Sequence, residues 1–452
     1  MSFFGINMAS RALQADQRAL EVTGQNITNA NVPGYSRQVA VLTSISGPGA
    51  MTLDEAGSAV APGGGVDVAV VQRTHAAWLD QAAGQLTAQS GQATIDDQSA
   101  QQLEGLLAEP TDAGLAATMD RFMAAFGNLA NHPEDAAASD GVLHAGEEMA
   151  NRYQQLNQGL DSLHQGMAAQ AQGSVTAIND LAKQVASLDG QISQAQAAGA
   201  TPNELLDQRD QLVQQLTQKA GVTVSGQQGG DLIISVGGVA LVQGQQAQAL
   251  ALAPGRPLSV VMAGTGQAVT VPGGELRAQQ DWVNTTLPGY RSRLGAFRDS
   301  LTAAVNTLHQ SGRDATGAVG QPFFVTDAGG NPAVNPALLA DSRKVVAGDG
   351  TAGSGSVALA IADLGAPSGK GLSPYHQWVA DIGAQAADSR QQSAQTQASL
   401  QQIQAAQSSE SGVNLDEELA QMVSLQQAYS ASARLLSTYN TLLTTLIQQT
   451  GV

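Results

Sequence analysis

Residues 411–449 read SGVNLDEELAQMVSLQQAYSASARLLSTYNTLLTTLIQQ. Leu415, Leu419, Met422, Gln426, Tyr429, Ala433, Leu436, Asn440, Leu443 and Ile447 follow one another in alternating steps of four and three. That is the rhythm of a helix meeting another helix along one seam. Asn414, with Glu417 three residues on, reads as an N-cap and capping box. Asp416, Glu417 and Glu418 put negative charge where the helix dipole is positive. No Pro or Gly interrupts the run before Gly451, so at 1.5 Å per residue the helix would be about 50 Å long. Such a rod needs cover, and the stretch supplies none of its own.

The other end of the chain offers that cover. Between Met1 and Asn31, Ile6, Leu13, Leu20 and Ile27 recur every seven residues, and Met8, Ala12, Ala15, Ala19 and Val22 form a second stripe beside them. Two stripes predict two neighbours, the C-terminal helix and another subunit. The predicted subunit interface is therefore Ile6, Leu13, Leu20, Ile27, Leu419, Met422, Tyr429, Leu436, Leu443 and Ile447. An ordinary amphipathic pair closing one domain is the alternative.

A length of 452 residues, 42% of them hydrophobic, allows two or three domains. Aromatic residues at 4% and charged residues at 13% are few, which suits long helices packed through small side chains better than an enzyme core. A net charge of −18 repels nucleic acid and anionic membranes, and the few lysines are scattered. Without Cys there is neither a disulfide nor a thiolate metal site. The start lacks a basic and then apolar leader, so no conventional secretion signal is expected, and no stretch is apolar enough to span a bilayer.

In chain order, the first helix leads into Asn26-Ile-Thr-Asn-Ala-Asn-Val-Pro-Gly-Tyr-Ser-Arg-Gln38, where Pro33-Gly34 suits the centre of a type II turn. Val39–Ser46 reads as a strand, residues 47–65 as a loop, and Val66, Val68 and Val70 as a second strand. Helices are predicted from Thr74 to about Leu107, from Leu115 to Leu129, from Tyr153 to Ala195 with a stutter after Met167, and from Thr201 with Pro202 in the first turn. Short strands are predicted at 222–224, 232–236, 239–242 and 258–262, with Gly237-Gly238 as a hairpin turn. Helix returns at Gly274, is interrupted near Pro288, slips at Val305 and ends near Leu308. Residues 311–373 read as loop-rich, and Pro374 opens the last body helix.

The fold class is mainly α: a long coiled-coil-like helical rod built from the N- and C-terminal halves, with a small inserted β-rich domain. The predicted divisions are 1–45 and 411–452 as an inner domain of terminal helices, 46–220 and 274–410 as the rod, and 221–273 as the β domain.

The Asn-rich Pro-Gly-Tyr segment resembles the axial proteins of the bacterial flagellum, and Ser36-Arg37-Gln38 is similar to the hook-associated protein 1 family in particular. The motif residues are Asn29, Asn31, Pro33, Gly34, Tyr35, Ser36 and Arg37. Further strings resemble the same family: Gly-Val-x-Val-x-x-Val-x-Arg ending at Arg73, Leu-Leu-Asp-Gln-Arg-Asp ending at Asp210, the His309 to Gly320 passage before Phe323-Phe324, and 411–419 with 426–434. His75-Ala76 departs from the family pattern. The resemblance implies a secreted structural subunit of the hook–filament junction, exported by the flagellar type III apparatus. Its implied partners are copies of itself in a ring or helical assembly, hook protein, hook-associated protein 3, and a dedicated export chaperone at the C-terminal helix. Hook-associated protein 3, hook protein and a secreted coiled-coil adhesin are the alternatives.

No catalytic, metal or cofactor site is predicted. The six histidines are scattered, without His-Glu-x-x-His or Gly-x-Ser-x-Gly, and each reads as a surface or packing residue. Gly63-Gly64-Gly65 lacks the Lys-Ser/Thr and helix of a phosphate loop, and Asp314 lacks the ligand alternation of a calcium loop.

Overall fold

The computed structural model describes residues 2–46, 52–53, 59–60, 63–226, 232–255, 257–365 and 372–450. The chain runs α1 (Ser2–Asn29), β1 (Gln38–Ser46), β2 (Thr52–Leu53), β3 (Ala59–Val60), β4 (Gly63–Arg73), α2 (Ala77–Leu107), α3 (Leu115–Asn131), α4 (Ala136–Ala197) and α5 (Asn203–Ala220). Seven short strands follow: β5 (Thr223–Ser225), β6 (Ile233–Val236), β7 (Val239–Gln243), β8 (Gln246–Ala247), β9 (Leu250–Leu252), β10 (Val260–Met262) and β11 (Ala268–Val269). Then come α6 (Gly274–Asp281), α7 (Leu287–Ser311), β12 (Phe324–Thr326), β13 (Pro332–Val334), α8 (Pro336–Leu339), α9 (Ser356–Ala362), α10 (Ser373–Ser411) and α11 (Leu415–Thr450). Most of the loop expected at 47–65 lies outside the described residues, but Gly63–Gly65 already belongs to β4.

The chain divides into two units. The first comprises Met1–Thr87, Asn179–Gln248 and Ala398–Val452, the second Ala88–Ile178 and Ala249–Gln397, with the divisions falling inside α2, α4 and α10 and between β8 and β9. Residues 221–273 hold two antiparallel sheets, of order β5-β6-β7-β8 in the first unit and β11-β10-β9 in the second. Gly237 and Gly238 form the β6–β7 turn with φ of 56° and 81°, the paired positive values that a two-residue hairpin requires.

The second unit carries the larger core. Phe122 and Phe126 of α3 meet the Phe323-Phe324 pair with ring centroids 5.4–5.5 Å apart, and Leu156 and Leu160 of α4, Leu294 and Leu301 of α7, and Ile361 of α9 join the same cluster. The stretch expected to be loop-rich, 311–373, supplies Phe323, Leu338, Val346 and Ile361 to that core. Arg152 donates to the carbonyls of Leu106 and Leu107 at 3.0 and 2.8 Å, capping the C-terminus of α2 with a cation. Tyr375 packs fully buried and donates to Glu109 Oε1 at 2.9 Å. Burial, and behind it the Glu109 carboxylate, pushes that hydroxyl's pKa well up.

Between α6 and α7, Trp282–Thr286 form a π-helical turn. A continuing α-helix would need an N–H from Pro288, which has none, and the widened turn falls immediately before it. The interruption expected near Pro288 is this turn, while the slip at Val305 lies within unbroken α7, where the buried Leu301, Val305 and His309 follow one another in steps of four. Asn284, inside this turn, accepts from Leu258 N at 2.7 Å and donates to Leu258 O at 2.8 Å.

His309 is a core residue with 0% exposure. Its Nδ1 bonds the Gln321 carbonyl, 2.5 Å away, and its Nε2 accepts from Val346 N at 3.0 Å. These partners require the neutral ring with the proton on Nδ1. Burial lowers the pKa from 6.5, outweighing the Gln321 carbonyl and Asp314. A histidine held below its unfolded value contributes stability that is complete above about pH 6.5 and is lost as pH falls below it. The melting temperature is therefore expected to drop between pH 7 and pH 5, and His309→Gln, which cannot gain a charge, should flatten that part of the profile. An unchanged slope in the variant would refute this assignment.

Candidate functional site

The two ends of the chain meet in the first unit. α1 and α11 pair antiparallel: Asn26 Nδ2 donates to Glu418 Oε2 at 3.0 Å, Ser432 Oγ to Asp16 Oδ2 at 3.1 Å, and a Cβ on Gly5 would stand 2.7 Å from the Tyr439 ring. The second neighbour of α1 is within the chain too, since β1 and β4 pair with each other and pack against it.

At the Asn26 end of this pair lies a buried polar node. The Asn26 side chain accepts from Gln38 N and donates to Gln38 O, both at 2.9 Å, so it serves Gln38 as a strand neighbour would. Tyr35 Oη also donates to Asn26 Oδ1, at 2.9 Å. Burial, with Asp207 and Glu204 nearby, pushes the Tyr35 pKa up to about 12, which keeps the hydroxyl a donor. Arg37 Nε reaches Glu418 Oε1 at 2.6 Å, and Arg37 N donates to the Ser411 carbonyl at 2.8 Å.

The helix α5 closes the node from another side. Asp207 accepts from Ser36 N at 3.2 Å and from Arg73 Nη1 at 2.6 Å, and Asp210 takes the same Arg73 nitrogen at 2.9 Å. Asn203 Nδ2 donates to Gln38 Oε1 at 2.9 Å, and Gln211 Nε2 donates to Pro33 O at 2.5 Å. Val32 to Tyr35 make the expected turn, with Tyr35 N to Val32 O at 3.2 Å and Gly34 at φ 77°. A side chain at Gly34 would also strike Gln211 Nε2, 2.1 Å from the Cβ position.

Four strings far apart in sequence thus meet in one place: Asn26–Gln38, the strand ending at Arg73, Asn203–Gln211 and Ser411–Glu418. Donors and acceptors are matched to one another, and charged pairs in such surroundings fix geometry more than they add net stability. No nucleophile stands beside a base here, and among the described residues no group of three His, Cys, Asp or Glu could hold a metal ion. No helix among them is long and apolar enough to cross a membrane.

Of the motif residues predicted from sequence, Tyr35, Ser36 and Arg37 enter the node, while Asn31, Pro33 and Gly34 form its exposed turn and Asn29 ends α1. Asn26, Gln38, Asn203 and Glu418 were missed as members. Their signal was a polar residue inside an otherwise apolar or capping pattern. Asn414 does cap α11, accepting from Asp416 N at 3.1 Å. Glu418 is not a mere dipole charge, because it is 2% exposed and fully engaged.

The predicted interface residues separate into two groups. Leu419, Tyr429 and Ile447 are exposed. Met422, Leu436 and Leu443 are half-buried, as are Ile6, Leu13, Leu20 and Ile27. Glu418, Met422, Leu425, Ser432, Leu436, Tyr439 and Leu443 share one face in steps of four and three, apart from one full seven, and three of them contact α1. The side of α11 turned to α1 is thus rotated from the predicted seam, and Leu435 and Leu442, seven residues apart and outside the prediction, stand 52% and 58% exposed.

Comparison with known proteins follows the same strings. Residues 100–324 match the family model described as "Flagellar hook-associated protein FlgK helical domain". Residues 6–35 match "Flagella basal body rod protein", and 404–449 match "Flagellar basal body rod FlgEFG protein C-terminal". Flagellar hook-associated protein 1 of Escherichia coli (strain K12) is 29% identical over 98% of this chain and 99% of its own length. The chain belongs to the flagellar hook-associated protein 1 family. The member from Bacillus subtilis (strain 168) is 25% identical over 100% of this chain and 99% of its own length. The Salmonella typhimurium member is 34% identical, over 71% of this chain and 59% of that protein. A structure of the flagellar hook junction protein FlgK from Burkholderia pseudomallei aligns with 29% identity and a TM-score of 0.47, over 54% of this chain and 47% of that one. The Escherichia coli alignment runs over 548 positions against 452 residues here, so that relative carries segments this chain lacks. Hook-associated protein 1 is a structural flagellar protein, and the alternatives weighed from sequence are not favoured.

Proposed function

We propose that this chain is a mechanical adaptor between hook and filament, assembled from copies of itself in a ring or helix and engaging hook protein on one side and hook-associated protein 3 on the other. The observation that carries the reading is the terminal helix pair, locked at one end by the polar node while Leu419, Leu435, Leu442 and Ile447 remain on the surface of α11. An exposed apolar run of that length on a helix marks a contact with another chain. Export through the flagellar type III apparatus, with a chaperone covering the C-terminal helix beforehand, accounts for how such a surface stays soluble until assembly. No catalysis is involved, and a net charge of −18 argues against nucleic acid or anionic membrane as partner.

The test is a deletion strain imaged by electron microscopy. Hooks without filaments are expected, and this chain supplied in trans should restore filaments. Normal filaments on the deletion strain would overturn the proposal.

A further inference from the structure

We propose that Glu418 is a latch through which residues 26–38 and the C-terminal helix become ordered together, so that neither chain end is presented without the other. The inference stands apart from the adaptor role. Among the described residues of α11, Glu418 and Leu425 are buried and no others are, so the fully buried contacts of this helix lie in its first three turns. Gly412–Asn414 interrupt the helix between α10 and α11, so backbone continuity does not set the direction in which α11 leaves. That direction is set by the N-terminal segment. Arg37 N holds the Ser411 carbonyl before the break, while Arg37 Nε and Asn26 Nδ2 take one carboxylate oxygen each of Glu418 after it.

The chemistry makes the arrangement two-sided. Were α11 to dock before residues 26–38, the Glu418 carboxylate would be buried without donors. Were residues 26–38 to order first, one proton of the Asn26 amide, whose other proton is held by Gln38 O, and the part-exposed Arg37 guanidinium would lack the Glu418 acceptor. An unmatched buried carboxylate is costly in the first case and a buried amide proton without its acceptor in the second, whereas both segments free in water lose nothing. Glu417, 3.9 Å from Arg37 and exposed, adds a weaker attraction that does not replace the buried contact. Glu418 is thus a positioning residue acting on both ends at once.

Amide hydrogen exchange on the full-length monomer tests this, comparing wild type, Glu418→Gln, Arg37→Ala and the double variant, with α3 in the same samples as the reference for global folding. Each single change is expected to speed exchange about tenfold in both 26–38 and 415–432, and the double change to add little more. If Arg37→Ala speeds only its own segment, or if the double effect is the product of the two single effects, the latch is refuted. Should Glu418→Gln also expose α3, Glu418→Asp and Arg37→Lys, which keep the charges but shift the atoms, are read in the same way. Loss at both ends together supports the latch, and loss at one end alone overturns it.

Discussion

Truncating Phe122 to alanine is expected to lower the stability of the second unit by about 3–5 kcal/mol. The ring is 0% exposed and stands 5.1 Å from Phe126, 5.4 Å from Phe323 and 5.4 Å from Phe324, measured between centroids. Its removal leaves a cavity lined by three other aromatic rings from two separate parts of the chain, which cannot collapse without dragging α3 and β12 together. Leu359→Ala, at a position 53% exposed on α9, serves as the control and should stay within about 0.5 kcal/mol of wild type. Denaturant unfolding of both variants checks the prediction. A loss below about 1 kcal/mol at Phe122 would mean that the aromatic cluster repacks freely.

Replacing Leu435 and Leu442 together with alanine is expected to leave the melting temperature of the monomer unchanged while abolishing filament retention at the hook tip. Both side chains are more than half exposed in the single chain, so truncation removes little contact there. If neighbouring copies bury them, each costs about 2–5 kcal/mol in the assembly alone, and a repeating interface multiplies the deficit. The informative contrast is Leu436→Ala with Leu443→Ala. Those residues lie half-buried on the α1 side, and their truncation should lower the monomer's melting temperature as well. Were Leu435 and Leu442 to prove necessary for the monomer, or dispensable for swimming, the exposed face would not be the assembly surface.

The sequence made the helices legible because their apolar rhythm is long and mostly unbroken. α11 begins within one residue of its Asn414 cap, and Tyr153, Leu156, Leu160, Met167, Ala171 and Ile178 of α4 are all buried as their spacing predicts. α4 nevertheless starts at Ala136, seventeen residues before the first predicted position, Tyr153. Gly141 and Gly146, poor helix formers, lie inside this added length, and a Cβ on Gly146 would stand 2.9 Å from the Phe323 ring. Tertiary packing had overruled local propensity. The face of α11 turned to α1 was misplaced because this helix carries apolar residues on several sides, and periodicity alone does not say which of them a partner within the chain will take. The polar node was visible only as separate strings. Nothing in the spacing of Asn26, Arg73, Asp207 and Glu418 announces that they touch, since buried polar contacts depend on topology and carry no period.

The π-helical turn at Trp282–Thr286 has a consequence for chain length. It holds α6 and α7 out of rotational step, so that Leu276 and Ala278 before it and Leu287, Tyr290 and Leu294 after it all lie buried. Each residue of a helix advances the phase by about 100°. Deleting one residue from this turn would restore a uniform pitch, spin α6 through roughly that angle relative to α7, carry Leu276 towards solvent and swing Asn284 off Leu258. Conservative substitution within these five positions is therefore tolerable where the loss of one residue is not, because here the count of residues, more than their identity, keeps the two segments in phase.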